Sequence, residues 1–275
     1  MPIGNVFETT GVTVVSLMST DSKNRPEAFA TRRGYGLAYR RQQGRTPWVV
    51  FLGGFRSDME GTKAQYLAEW CEARGQAYLR FDYSGHGRSD GVFEEGTISQ
   101  WTQDTLDLLS VIQGAPCVLV GSSMGGWIML RVAEALQRQV VGLVGVAAAP
   151  DFTRDLMPRD LSDTQRYELK QSGRIRMVSE YDPKGFILTE SFMKDGNSCC
   201  LLDRPIAIEA PVRLLQGCED VEVPWDTALR LSTALATQNV QVHLLKDGDH
   251  RLSKPEQLAI LGQTLADLLA FSEKP

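Results

Sequence analysis

The 275-residue sequence contains only three histidines, five cysteines, and no apolar run near the roughly 18 residues that a membrane-spanning helix requires. Each scarcity narrows the possibilities. The cysteines are Cys71, Cys117, Cys199, Cys200 and Cys218, an odd number with no Cys-x-x-Cys spacing. That pattern excludes a disulfide scaffold and a zinc ribbon, and it suits a reducing compartment. Adjacent Cys199 and Cys200 are read as packed thiols, because free cysteine behaves as a small hydrophobe. The formal net charge of −5 leaves no basic excess for nucleic acid or an anionic membrane surface. Internal repeats and low-complexity segments are absent. The start, Met1-Pro2-Ile3-Gly4-Asn5, shows neither a signal nor a transit peptide, so a cytoplasmic protein is expected.

What is present is enough apolar material, 43% of residues, for a sizeable core. From residue 48 onward it falls into an alternating rhythm. Trp48–Leu52, Ala77–Phe81, Cys117–Val120, Val140–Ala147, Val212–Leu215 and Val240–Leu245 read as buried strands. Thr62–Arg74, Ile98–Ile112, Trp127–Leu136, Thr227–Ala236 and Pro255–Phe271 have helical spacing. Such alternation predicts a single α/β domain over 1–275, a mostly parallel central sheet with helices on both faces. Three short alternating segments, Val12–Leu17, Ala28–Arg32 and Gly36–Arg41, read as antiparallel edge strands. From Asp151 to Leu202 the rhythm breaks and no buried strand is evident. An insertion of that length inside a domain reads as a cap over a site. Its apolar residues Phe152, Leu156, Met157, Phe186, Phe192 and Met193 are candidate pocket residues, as are Trp127 and Trp225.

The most informative stretch is Val118-Leu119-Val120-Gly121-Ser122-Ser123-Met124-Gly125-Gly126-Trp127. A strand runs into Gly-x-Ser-x-Gly and then into a helix, which is the context of a nucleophile elbow. Ser123 occupies the centre of the motif; Ser122 packs behind it. A serine hydroxyl needs a base and a group that orients the base. His243 lies inside a strand and His86 in a glycine-rich loop ahead of the elbow. His250 follows the last strand, where ligands and catalysis collect in open α/β sheets, and is the candidate base. Asp220, in a turn after the Val212–Leu215 strand, completes the order Ser…Asp…His; Glu219, Glu222 and Asp151 compete for the role. The backbone N–H groups of Met124 and Phe55 are the candidate oxyanion hole, with Gly54 the near alternative to Phe55.

These residues resemble the α/β-hydrolase superfamily. A branch within it, the palmitoyl-protein thioesterases also described as mycophenolic acid acyl-glucuronide esterases, is similar over several blocks. They are Met59-Glu60-Gly61-Thr62-Lys63-Ala64, Arg80-Phe81-Asp82-Tyr83-Ser84-Gly85, Gly121 to Trp127, Val223-Pro224-Trp225 and Asp249-His250-Arg251. The resemblance implies an α/β-hydrolase fold and hydrolysis of small-molecule acyl esters or thioesters by Ser123, Asp220 and His250. No cofactor or metal is expected. Other chemistry on this scaffold, such as peptide cleavage or transfer to an acceptor other than water, is the alternative, as is a catalytically silent binding protein. Gly53-Gly54 stands where many members carry His-Gly.

Overall fold

The apolar runs become the centre of one eight-stranded sheet in the computed structural model, which describes residues 26–31, 33–179 and 182–272. Its strands are β1 (Glu27–Ala30), β2 (Gly36–Gln42), β3 (Arg45–Leu52), β4 (Gln76–Phe81), β5 (Cys117–Ser122), β6 (Val140–Val146), β9 (Val212–Gly217) and β10 (Val240–Leu245). They are ordered β1-β2-β4-β3-β5-β6-β9-β10. Every pair from β4 to β10 is parallel, while β1 and β2 join antiparallel at one edge. The segment Val12–Leu17 lies outside the described residues.

Alternation of side chains along each strand divides the interior into two layers. Trp48, Val50 and Leu52 of β3 join Leu119 of β5 and Leu143 of β6 on one face, against helices α2 (Ile98–Leu108) and α3 (Met124–Ala135). Val49 and Phe51 join Val118, Val120 and Val144 on the other face, against α1 (Thr62–Glu72) and α8 (Pro255–Ser272). A side chain buried on both sides in this way contributes about 1.5–3 kcal/mol. Helix α7 (Asp226–Ala234) completes the first layer through Ala228 and Leu231. Ile98–Ile112 is not one α-helix: α2 ends at Leu108 and tightens into a 3-10 turn over Leu109–Ile112.

Between β6 and β9 the chain leaves the sheet. It forms α4 (Phe152–Asp155), α5 (Asp163–Ser172), a hairpin of β7 (Arg174–Ser179) and β8 (Asp182–Thr189), and α6 (Glu190–Ser198). The hairpin adds strands to a stretch in which no buried strand is evident from the sequence. Arg174, Arg176 and Val178 face outward while Ile175 is buried, so the stretch alternates without ever becoming a continuous apolar run. Ile175, Leu188, Phe192 and Met193 pack into the same core layer as α2 and α3. At the neck of the insertion the fully buried carboxylate of Asp151 accepts from Leu201 N–H (2.8 Å) and Leu202 N–H (2.9 Å). One side chain thereby ties the two ends of the insertion together.

Candidate active site

Strand β5 ends at Ser122 and α3 begins at Met124, which leaves Ser123 to make the whole turn. Its backbone sits at φ 54°, ψ −120°, a strained conformation for an L-residue. Three hydrogen bonds hold it there: Ser123 N–H to Val146 O (3.0 Å), and the Ser123 carbonyl accepting from Gly126 N–H (2.8 Å) and Ala149 N–H (3.1 Å). The flanking glycines are sterically required. A Cβ at Gly121 would overlap the Gly125 carbonyl, and one at Gly125 would overlap the Leu52 carbonyl. Ser122 is buried in the strand, whereas Ser123 reaches the surface.

Two loops at the carboxyl ends of β9 and β10 come to this serine. His250 Nε2 lies 3.0 Å from Ser123 Oγ, and His250 Nδ1 lies 2.8 Å from Asp220 Oδ2. The Asp220 side chain is fully buried and both of its oxygens are occupied. Oδ1 accepts from Glu222 N–H (3.0 Å) and Val223 N–H (2.8 Å); Oδ2 also accepts from the Gln216 carboxamide (2.9 Å). Of the competing carboxylates, Glu219 is exposed, Asp151 belongs to the insertion neck, and Glu222 Oε2 stands 3.5 Å from His250 Nε2. His243 is exposed on β10, the edge strand. Lys63 of α1, whose ammonium burial pushes its pKa down to about 8, donates to the Arg251 carbonyl and anchors the loop that carries His250.

The loop after β3 passes close by. A Cβ at Gly54 would lie 3.4 Å from Ser123 Cβ, so the chain reaches Phe55 directly beside the elbow. Met124 is the first residue of α3, and the first N–H groups of a helix lack intrahelical partners. Buried groups of the 82–86 segment hold the β3 loop. Asp82 Oδ1 accepts from Met59 N–H (2.6 Å), and Tyr83 Oη donates to the Gly53 carbonyl (3.4 Å). His86 Nε2 accepts from Arg56 N–H (3.3 Å) while Nδ1 faces the Ser84 carbonyl (3.3 Å). That pairing requires the neutral tautomer protonated at Nδ1. Burial supports it, pushing the His86 pKa down to about 4.

The Phe55 ring contacts Phe93, Trp101, Phe152, Phe186 and Phe192, with centroids 5.0–6.1 Å apart. It joins the β3 loop, α2 and the insertion in a single aromatic cluster. A narrow crevice, with room for little more than a water molecule, opens here between Phe55, Phe93, Trp101, Leu188 and Phe192. The candidate pocket residues are placed differently. Phe152 and Phe186 reach the cluster through Phe55. Trp127 is fully buried, packs on Phe152 and donates to the Cys199 carbonyl (3.3 Å), so it anchors the insertion from below. Met157 is half-buried against the main core, and Trp225 is exposed at the start of α7. Phe93 and Trp101, which complete the cluster, lie far from the Ser123 motif in sequence, and no local pattern marks them as site residues.

A family model described as serine aminopeptidase, S33 matches residues 46–184. The mouse protein named palmitoyl-protein thioesterase ABHD10, mitochondrial, is 39% identical over 234 residues, covering 85% of this chain and 78% of that one. Among solved structures, a putative hydrolase from Agrobacterium vitis superposes with a TM-score of 0.85 at 38% identity, covering 89% of this chain and 98% of that one. The mouse α/β hydrolase domain-containing protein 10 gives 0.79 at 35% identity, covering 95% and 99%. The chain belongs to the α/β-hydrolase family. Its sheet order and flanking helices are those of a hydrolase scaffold. The cytoplasmic expectation does not stand: the mouse, bovine, orangutan and human relatives are all named mitochondrial.

Among the described residues, no cluster of His, Cys, Asp and Glu could hold a metal ion, and no helix is long and apolar enough to cross a membrane. The five cysteines are free. Burial pushes the Cys71 and Cys117 thiols up to about 12 and Cys200 to about 11.

Proposed function

We propose that this hydrolase cleaves apolar acyl esters or thioesters by two-step acyl transfer. Ser123 is the nucleophile, His250 the general base and acid, and Asp220 the group that orients the imidazole. The observation that carries the reading is the continuous hydrogen-bond chain Ser123 Oγ–His250–Asp220, at 3.0 and 2.8 Å, starting from a strained serine. In the first step His250 Nε2 takes the Ser123 proton as Oγ attacks the carbonyl carbon. Charge develops on the carbonyl oxygen, and the Met124 and Phe55 amides are the donors assigned to receive it. The proton on Nε2 then passes to the departing sulfur or oxygen. Water repeats the sequence in reverse and releases the acid. The chemistry uses only side chains and amides of this chain.

Residues 151–202 act as the cap of a single domain, and the aromatic cluster around Phe55 supports an apolar acyl group. The name of the mouse relative points to long acyl thioesters. The family model's description raises peptide cleavage as the competing reaction on the same residues.

A fluorophosphonate probe tests the nucleophile: wild type is labelled and Ser123→Ala is not. Equal labelling of the two proteins sinks the assignment. Octanoyl and acetyl p-nitrophenyl esters, matching thioesters and an aminoacyl p-nitroanilide then test substrate class. The expected result is faster turnover of octanoyl than acetyl groups; preferential cleavage of the anilide would establish the peptidase reading instead.

A further inference from the structure

We propose that Glu222 selects the charge of the group that is expelled, favouring a neutral or cationic thiol or alcohol and disfavouring an anionic one. The inference rests on the serine-hydrolase reading above. Glu222 Oε2 lies 3.5 Å from His250 Nε2, the nitrogen that also lies 3.0 Å from Ser123 Oγ. In acyl transfer this nitrogen hands its proton to the departing atom. As the Ser123 Oγ–acyl bond forms and the acyl–sulfur or acyl–oxygen bond breaks, the leaving group takes up the proton first removed from Ser123. It therefore departs directly beside the Glu222 carboxylate.

The carboxylate is held at that place by its backbone. Glu222 N–H donates to Asp220 Oδ1 (3.0 Å), and the next amide, Val223 N–H, donates to the same oxygen (2.8 Å). The side chain is 62% exposed, so it stands over the mouth of the site and not inside it. It is not needed to orient the imidazole, because Asp220 already occupies Nδ1. The other charged groups of the two meeting loops are Glu219, Asp220, Lys246, Asp247, Asp249, Arg251 and Lys254, with Lys254 paired to Asp247 (3.4 Å) and Lys63 of α1 turned to the Arg251 carbonyl. An exposed carboxylate about 4 Å from a unit charge changes its energy by enough to alter a rate about fivefold, and the effect fades once salt shortens the screening length. The substrate class this defines is an acyl group on a neutral or basic carrier, such as a cysteine flanked by lysine or arginine. Acyl carriers bearing phosphates, such as coenzyme A, are disfavoured.

Three octanoyl thioesters test this: thiocholine (cationic), N-acetylcysteamine (neutral) and 2-mercaptoethanesulfonate (anionic) leaving groups. The readout is the ratio of kcat/KM for thiocholine over sulfonate at low salt, compared among wild type, Glu222→Gln and Glu222→Lys. The ratio is expected to fall about 25-fold in Glu222→Gln, about fivefold from each of the two oppositely charged leaving groups, to fall further in Glu222→Lys, and to lose most of this difference in about 0.5 M salt. A variant that merely weakens the site lowers all three rates and leaves the ratio unmoved, which overturns the proposal. If wild type turns over none of the thioesters, or Ser123→Ala matches it, the serine-hydrolase reading itself falls and the inference with it. If the neutral thioester is cleaved in a Ser123-dependent manner and the ratio is the same in all three proteins, only the role of Glu222 is lost.

Discussion

The Gln216 carboxamide donates to Asp220 Oδ2 at 2.9 Å, the same oxygen that faces His250 Nδ1 at 2.8 Å. Gln216 lies on β9, four residues before Asp220, and its Nε2 also donates to the Val223 carbonyl (3.0 Å). Two acceptors around one nitrogen leave the amide a single orientation. Gln216 therefore fixes the carboxylate from the strand side while the Glu222 and Val223 amides fix it from the loop side.

Removing that donor should cost activity through the imidazole's orientation. A hydrogen bond to a charged group is worth about 1.5–3 kcal/mol, so Gln216→Leu is expected to lower kcat by about 10- to 100-fold. Gln216→Glu, which places a second carboxylate against Asp220, should lower it further. Steady-state kinetics on a p-nitrophenyl ester decide; unchanged kcat in both variants would show that Asp220 needs no support from β9.

The parts of this site that could be read in advance share one property: local backbone demand. Gly121 and Gly125 announce the elbow because nothing larger fits beside Leu52 and its own helix. The apolar runs announce β3 to β6 because those strands are buried on both faces. The supporting residues are different in kind. Gln216, His86 and Lys63 act through contacts 4, 30 and 188 residues away in sequence, and no local pattern distinguishes them from ordinary polar residues. The β7–β8 hairpin escaped because its outward face carries Arg174 and Arg176, which erases the apolar run that marks a strand. The pocket was misjudged at Trp127, whose indole turns inward to the Cys199 carbonyl.

His86 should make the fold sensitive to mild acid. Its folded pKa, lowered by burial to about 4, lies below the ordinary histidine value of 6.5. Between those two values the unfolded chain binds a proton that the folded chain refuses, so stability falls as pH drops from 6.5 towards 4. The loss attributable to this one side chain is about 3 kcal/mol at the acid end. Asp82, Asp104 and Asp151, whose pKa values burial raises, act in the opposite sense, and they cancel in a comparison with His86→Gln. Urea unfolding at a series of pH values should give wild type the steeper decline over that window. Parallel curves would show that His86 is not buried in its neutral form.

Cys218 should be the one rapidly reacting thiol. It is exposed on the loop after β9, whereas Cys71, Cys117 and Cys199 are buried and Cys200 is half-buried. Burial also holds the Cys71, Cys117 and Cys200 thiols in their protonated, unreactive form at neutral pH. Titration of the native protein with a disulfide reagent is expected to show a single fast equivalent that disappears in Cys218→Ser. A second fast equivalent would mean that the Cys199–Cys200 segment opens on the timescale of labelling.

The neck of the insertion offers a sharper test of how residues 151–202 are held. Asp151 accepts from the Leu201 and Leu202 amides and is contacted by Arg154 (3.3 Å), which also pairs with Asp155 and Asp203. Arg230 of α7 pairs with the same Asp155 (3.0 Å), so the network fastens the insertion to the body of the molecule. Asp151→Ala leaves the buried Leu201 amide and the half-buried Leu202 amide without their acceptor, and each orphaned donor costs up to about 1–3 kcal/mol. The expected loss of stability is therefore up to about 2–6 kcal/mol. Because the insertion and the sheet share one core layer, unfolding should stay a single transition, displaced to lower denaturant. Arg230→Ala removes only a partly exposed pair and should cost about 1 kcal/mol or less. If Asp151→Ala instead splits unfolding into two transitions, the insertion is an independent unit and not part of one cooperative domain.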